Sequence, residues 1–393
     1  MTQPSQSPAP PPVDESADTE IGGQVRMRLF ARTDVGQVRE HNEDNFIVAN
    51  LTKRERGLLE SSTYVGAQGS LFAVCDGMGG AAAGEVASQL AVDIIYERLV
   101  DGLGDRPISR DDLARRLVDA VEVAGYRIFQ EAKADRSRRG MGTTVTAAAL
   151  VDDHLFLAQV GDSRGYILRG EQLIQVTRDQ SLVNQLIEAG QLTEEEAETF
   201  EHNNIILQAL GTSDTVHVDL TYVALRRGDM LMLCSDGLSG MIRGEEIREV
   251  LRSSTEPAEL CRVLIERANQ AGGHDNVTVI CVQFDGPGVR AIDESDEPLK
   301  YRKYALPEAE KKDNGAGDTA PNSTSQAPPA NTSSTQREPS IRPSQRPNSG
   351  SPPAHAGDES IDIPGTHIPA WLVVILVTGV IGLLAATAFV LLR

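Results

Sequence analysis

Cysteine is scarce in this 393-residue chain, and none of the four (Cys75, Cys234, Cys261, Cys281) belongs to a Cys-x-x-Cys pair. That excludes a disulfide framework and a cysteine-based zinc site. Three of them lie inside apolar runs, where cysteine behaves as a small buried hydrophobe. A basic surplus is also missing. The 37 Lys and Arg against 57 Asp and Glu leave a formal net charge of −20, with −14 of it on residues 24–304. Nucleic acids and anionic lipid surfaces both require Lys and Arg to neutralise phosphates, so the charge argues against either as a partner of this region. No two of the seven histidines are spaced as metal ligands. The N-terminus has neither the basic start nor the apolar stretch of a signal peptide.

What is present divides the chain into four parts. Residues 1–23 hold five prolines in the first twelve positions and no Lys or Arg, which predicts a disordered tail. Residues 24–290 have an ordinary globular composition. Short apolar runs at 71–75, 155–160, 230–234 and 277–284 alternate there with helical patterns. One pattern, 85–99, places Val86, Leu90, Ile94 and Ile95 on a common face. The other, 112–129, does so with Leu113, Leu117, Val121 and Ile128. Residues 291–369 are expected to form a disordered linker, and 305–369 contain no aromatic residue. Residues 370–392 carry no charge. At about 1.5 Å per residue they span about 34 Å, enough for a bilayer core of about 30 Å. With Trp371 as an interface anchor, a C-terminal transmembrane helix is expected. It implies a single-pass protein of the cell membrane, with the large domain cytoplasmic and Arg393 on the far side.

The chemistry lies in where the aspartates fall. Asp76, Asp162 and Asp236 each follow an apolar run, and Asp275 precedes one. Singly, each is turn punctuation. Together, on strands that share a sheet end, they form a self-repelling cluster that persists only when a cation neutralises it. Oxygen-only ligands suit Mg²⁺ or Mn²⁺. The inferred centre is two divalent cations bridged by carboxylates, an arrangement that activates water for attack on phosphorus. Upstream, Arg39 is placed to hold two phosphate oxygens. Glu43 and Asp44 are placed to position metal-bound waters.

Six motifs in order carry a family resemblance: R-x-x-N-E-D at 39–44, D-G-M-G-G-x-x-x-G-E at 76–85, G-M-G-T-T at 140–144, G-D-S-R at 161–164, S-D-G-L-S at 235–239 and G-G-x-D-N-V-T at 272–278. Over about residues 26–284 the chain resembles the bacterial branch of the type 2C metal-dependent serine/threonine protein phosphatases. The resemblance implies an α+β fold, a four-layer α-β-β-α sandwich of two mostly antiparallel sheets, with a dinuclear metal site at one end. It implies that Asp76 bridges both metals, that Gly77 offers its carbonyl oxygen, and that Asp236 and Asp275 complete the pair. Glu43 and Asp44 would hold waters, Asp162 would help bind a third metal, and Arg39 would bind the substrate phosphate. The implied reaction is direct attack of a metal-bridging hydroxide on phosphoserine or phosphothreonine. Arg39, Asp76 and Asp236 are then the catalytic set, and the implied partners are phosphoproteins, with membrane serine/threonine kinases opposed by analogy.

The chain departs from the family pattern in three places. Gly240 stands where many relatives have Asp, which removes an expected ligand of the third metal and leaves that site open. Met78 stands where animal relatives carry His. The bacterial D-H-S is here Asp179-Gln180-Ser181. Between Arg178 and Gly211, the Thr193-x-x-Glu196 pair reads as a capping box, and Leu182, Leu186 and Ala189 form a short apolar stripe. The resemblance makes this segment a substrate-selecting flap. His202 and His274 read as ordinary loop residues. A catalytically silent phosphoprotein-binding module and another metal phosphoesterase are the competing readings. The intact aspartate set argues against the first, and the acidic domain argues against polyanionic substrates for the second.

Overall fold

Apolar runs too continuous for a one-sided sheet become the central strands of two stacked sheets, each also covered by helices. The computed structural model describes residues 24–307 except 59, 80–82, 199, 201–203 and 294. The predicted tail (1–23), most of the predicted linker and the predicted span (370–392) lie outside the described residues. Among the described residues, no helix is long and apolar enough to cross a membrane.

The strands are β1 (Arg26–Asp34), β2 (Asn45–Asn50), β3 (Glu55–Arg56), β4 (Glu60–Tyr64), β5 (Ser70–Cys75), β6 (Gly77–Met78), β7 (Gly142–Thr143), β8 (Val145–Val151), β9 (His154–Val160), β10 (Arg164–Arg169), β11 (Gln172–Gln175), β12 (Asp219–Ala224), β13 (Met230–Cys234) and β14 (Val277–Asp285). The helices are α1 (Ala83–Val100), α2 (Arg110–Ala134), α3 (Leu182–Glu188), α4 (Glu194–Glu198), α5 (Asp236–Ser239), α6 (Gly244–Ser253) and α7 (Pro257–Gln270). One sheet has the order β11-β10-β13-β14-β1-β4 and the other β12-β9-β8-β5-β2-β3. The pairings are antiparallel throughout.

Strand periodicity distributes each run between two cores. In β5, Phe72 and Val74 point between the sheets, while Leu71, Ala73 and Cys75 face α1 and α2. In β14, Ile280, Val282 and Phe284 point between the sheets, while Val277, Val279 and Cys281 face the α5–α7 layer. The result is the four-layer α-β-β-α sandwich. All four cysteines are free and buried.

Helix α2 buries Leu113, Leu117, Val121 and Ile128 as the pattern predicts, with Ser109 capping its start. Helix α1 follows the prediction only in part, at Ile95. Its fully buried face is Ala87, Ala91, Ile95 and Leu99, whereas Val86, Leu90 and Ile94 sit at the flank of the same core. Small residues let α1 lie close against α2 and the sheet, so the bulkier side chains are turned to its sides.

The domain also extends further than expected. Residues 291–307, predicted as the beginning of the linker, pack on the domain through Leu299, Tyr304 and Leu306. Residue 303 adds a bridge to Thr221 on the outer edge of β12. Three spaced apolar side chains are too sparse to register in a composition-based boundary.

Candidate active site

Antiparallel pairing brings the ends of β5, β9 and β13 and the starts of β2 and β14 to one end of the sandwich. Asn45 lies opposite Cys75, and Cys234 opposite Val279. The acids flanking these strands therefore converge. Close backbone packing then sets their exact height. A Cβ on Gly77 would lie 2.3 Å from the Gly84 carbonyl and 2.5 Å from that of Glu43. One on Gly237 would lie 2.0 Å from the Asn276 carbonyl. These two glycines follow the aspartates because three chain segments touch there, not because a left-handed turn demands them.

The Asp76 backbone is held on both sides by the G-M-G-T-T segment. Its carbonyl accepts from Thr144 N at 2.9 Å and Thr143 Oγ1 at 2.8 Å, and its N–H donates to Thr144 Oγ1 at 3.1 Å. The short pairing of β6 with β7 continues this grip. Thr144 Oγ1 in turn meets Ser163 Oγ at 2.8 Å, which ties the Asp162 turn to the same segment.

Five carboxyl groups are pushed toward the protonated form. Burial pushes Asp44 up to about 8, against the pull of two hydroxyl hydrogen bonds. It raises Asp76 well above the ordinary value, with Asp236, Asp44 and Asp162 adding repulsion. Burial and then Asp236 push Asp162 up to about 7. Asp236 is raised by burial although a hydrogen bond with the Asp76 side chain opposes the rise. Glu43, at the N-terminus of α1, is raised by burial, with the Arg39 charge pulling the other way. Asp162 Oδ1 and Asp236 Oδ1 are buried without a hydrogen-bond partner.

Two carboxylates in contact, unpaired buried oxygens and several raised acids fit hard divalent cations, which neutralise the repulsion and accept those oxygens as ligands. Among the described residues, no three His, Cys, Asp or Glu side chains close on a single coordination point. The fit is to cations held by few protein oxygens and completed by water. Asp44 is buried, and Asp76, Asp162 and Asp236 are half-buried around it, the last two with one oxygen each shut off from solvent. Glu43 and Asp275 stand at the rim of the set.

Arg39 is not free. Its Nη2 donates to Asp275 Oδ2 at 2.7 Å, and its side chain is 48% exposed. The predicted phosphate ligand is thus paired with a predicted metal ligand, an exposed contact that a bound anion can replace. Gly240 closes α5, where its N–H donates to the Asp236 carbonyl at 2.7 Å, and it offers no side chain toward Asp162. Met78 brings no titratable group. His274 is exposed, and His202 lies outside the described residues.

Several residues that position the acids were quoted within motifs but given no role. Ser235 Oγ and Thr278 Oγ1 donate to Asp44 Oδ2 at 2.7 and 2.6 Å. Asn276 accepts from Glu43 N at 2.8 Å and donates to the carbonyls of Val35 and His41, both at 2.9 Å. It latches the Arg39–Glu43 loop to the start of β14. The available signal was the short polar residue beside each acid, because a buried carboxylate requires donors.

The segment expected to be a flap forms a helical pair, α3 and α4. Thr193 N donates to Glu196 Oε2 and Glu196 N to Thr193 Oγ1, which realises the capping box. Leu182 and Leu186 are only half-buried and Ala189 is exposed. Gln180, at the D-Q-S position, accepts from Gly161 N at 3.0 Å and donates to the Gln159 and His217 carbonyls. It fastens the flap to the Asp162 turn.

A family model described as Protein phosphatase 2C matches residues 60–273. The chain is 38% identical over 260 residues to protein phosphatase PhpP of Streptococcus pneumoniae, covering 66% of this chain and 98% of PhpP. It is 36% identical over 259 residues to the serine/threonine phosphatase stp of Listeria monocytogenes, covering 66% and 96%. Among solved structures, the catalytic domain of serine/threonine protein phosphatase PstP in complex with two manganese ions superposes with a TM-score of 0.55. The identity there is 37%, and the match covers 67% of this chain and all of that one. With more than half the chain matched by the family model and PhpP and stp covered almost end to end, this chain belongs to the protein phosphatase 2C family.

Proposed function

We propose that the chain is a metal-dependent phosphatase of phosphoserine and phosphothreonine in proteins, tethered to a membrane by residues 370–392. The observation that carries this reading is the carboxylate cluster with buried, unpaired oxygens at the end of the sandwich. Asp76, Asp236, Asp275 and the Gly77 carbonyl would hold two Mn²⁺ or Mg²⁺ ions, with Glu43 and Asp44 acting through water. The PstP relative, solved with two manganese ions, supports that number. Bound there, the cations supply Lewis-acid activation of water and compensate charge on the phosphoryl oxygens.

The remaining work belongs to the chain's own side chains. Arg39 exchanges Asp275 for the substrate phosphate, and its planar fork orients two phosphate oxygens. Ser235 and Thr278 fix the Asp44 carboxylate, and Asn276 fixes the loop that carries Arg39. No imidazole stands at position 78, so no side chain there protonates the leaving serine oxygen. Gly240 offers no carboxylate at that position, so a third ion held by Asp162 would lack that ligand.

The uncharged stretch 370–392 and the polar segment before it support a tether with a reach of about 40–50 Å. We place the catalytic domain on the cytoplasmic side, where membrane-bound phosphoproteins, including serine/threonine kinases, come within that reach. The test is phosphate release from a phosphothreonine peptide by the full chain in Mn²⁺ or EDTA, beside Asp76→Asn. Metal-dependent release that vanishes in the variant supports the reading. Release in EDTA, or from Asp76→Asn at the wild-type rate, refutes it.

A further inference from the structure

The segment following β14 makes a set of contacts that the phosphatase reading does not use. Asp296 is held by Arg226 at 2.9 Å and by Arg290, and Leu299 enters the core between the sheets. The chain then runs antiparallel along β12. Tyr222 N donates to the Arg302 carbonyl at 3.1 Å, and Tyr304 N donates to the Leu220 carbonyl at 2.8 Å. Tyr304 packs edge-on against Phe156 at 4.9 Å and Tyr222 at 5.3 Å, and its hydroxyl donates to Asp111 of α2. The strap therefore covers the open edge of one sheet.

Two of its polar contacts fall on the chain that follows the flap. The flap leaves the domain at Arg178 and rejoins it at Leu210, which bridges Thr143; the chain then runs to His217, whose backbone is tied to Gln208 of the flap by bonds of 2.6 and 2.9 Å. The next strand begins at Asp219, whose side chain is 7% exposed. Tyr301 Oη donates to Asp219 Oδ2, and Lys303 Nζ lies 2.9 Å from Asp219 Oδ1. The Arg178 charge acts on the Tyr301 hydroxyl, and Arg178 pairs with Glu188 of α3. The strap thus holds Asp219, two residues from the His217 backbone that Gln208 binds, with the Arg178–Glu188 pair of the first flap helix alongside. Helix α3 of the flap has no buried residue. Its placement depends on how the ends of the flap are held.

We propose that residues 295–307 are a clamp on the chain that follows the flap, with Tyr301 and Lys303 as positioning residues that, through Asp219 and the neighbouring His217 backbone, set the flap for protein substrates. The strap lies beyond the region matched by the family model, which ends at residue 273. It belongs to the working unit of this chain all the same. The substrate side of this inference rests on the phosphatase reading, but the flap side does not.

The test uses the full chain carrying Tyr301→Phe and Lys303→Met together, substitutions that keep the ring and the aliphatic stem. Hydrogen exchange followed by mass spectrometry reads the flap without reference to activity. Amides of 182–192 are expected to exchange about tenfold faster in the variant, with β13 and β14 unchanged, as for the loss of one or two charge-assisted bonds. Kinetics give the second readout. KM for a phosphothreonine peptide rises about fivefold while kcat, and turnover of the small ester p-nitrophenyl phosphate, stay within about twofold. Single Tyr301→Phe gives part of each effect. Unchanged flap exchange in the folded double variant overturns the clamp. So does a parallel loss of peptide and ester turnover, or exchange that rises equally across β13 and β14. Wild-type chain that hydrolyses neither substrate refutes the phosphatase reading, and the exchange result then decides the clamp by itself.

Discussion

Stripping metal from this protein makes its stability fall as pH rises from 5 to 7, the reverse of ordinary acid denaturation. The argument starts at Asp44, whose ordinary carboxyl value of 3.8 is pushed up to about 8 by burial. Above 3.8 the unfolded chain releases that proton while the folded chain keeps it. The stabilisation is therefore complete below about pH 4 and is lost progressively up to about pH 8. Two pH units inside that window, at about 1.4 kcal/mol each, amount to on the order of 3 kcal/mol for Asp44 alone. Asp162, pushed up to about 7, titrates over the same range with the same sign. For a domain of this size the Asp44 share corresponds to about 6 °C in Tm. Acids with lowered values, such as Asp153 and Asp285, have given up their protons below pH 5 and do not contribute here. Thermal unfolding by circular dichroism in EDTA, at pH 5, 6 and 7, gives the apo slope. The same series in saturating Mn²⁺ is expected to be flat, because the cations hold the carboxylates ionised in the folded state. An apo Tm that does not fall between pH 5 and 7, or an equal slope with Mn²⁺ present, would refute the reasoning.

Three further perturbations separate the parts of the site. Arg39→Ala is expected to lower kcat/KM for a phosphothreonine peptide by about 10–100-fold, in line with one charge-assisted contact, while Tm stays put because the Asp275 pair is exposed. Asn276→Ala removes three bonds from a residue that is 4% exposed. Urea unfolding should show a loss of about 3 kcal/mol, and Mn²⁺ titration a drop in affinity of about 10–100-fold. Gly237→Ala forces a methyl group against the Asn276 carbonyl. It should abolish peptide hydrolysis and cost about 2 kcal/mol in the same urea assay, whereas alanine at the solvent-facing Gly244 should do neither.

The sequence alone placed the acids correctly at strand ends, since a period-two apolar run ending in Asp is a local pattern. The α2 face and the Thr193–Glu196 capping box are local for the same reason. What escaped is non-local. Asp44 meets Ser235 and Thr278 across separations of 191 and 234 residues, and only the folded sandwich brings them together. The pairing of Arg39 with Asp275, 236 residues away, is of the same kind. The α1 face was misread because bulk was taken as the sign of burial, whereas close helix packing selects Ala87 and Ala91. The strap was missed because its anchors, Leu299, Tyr301 and Tyr304, sit in a polar segment whose average composition resembles the linker beyond it.

The central claim is that the carboxylate cluster is a two-metal hydrolytic centre. The most direct measurement follows phosphate release from a phosphothreonine peptide against Mn²⁺ bound per chain, for wild type and Asp236→Asn. The account predicts that turnover in the wild type rises as the second equivalent binds and is lost in EDTA. It also predicts that the variant fails to retain two ions and releases no phosphate above background. Full turnover before any Mn²⁺ binds, or wild-type turnover by Asp236→Asn, would contradict it.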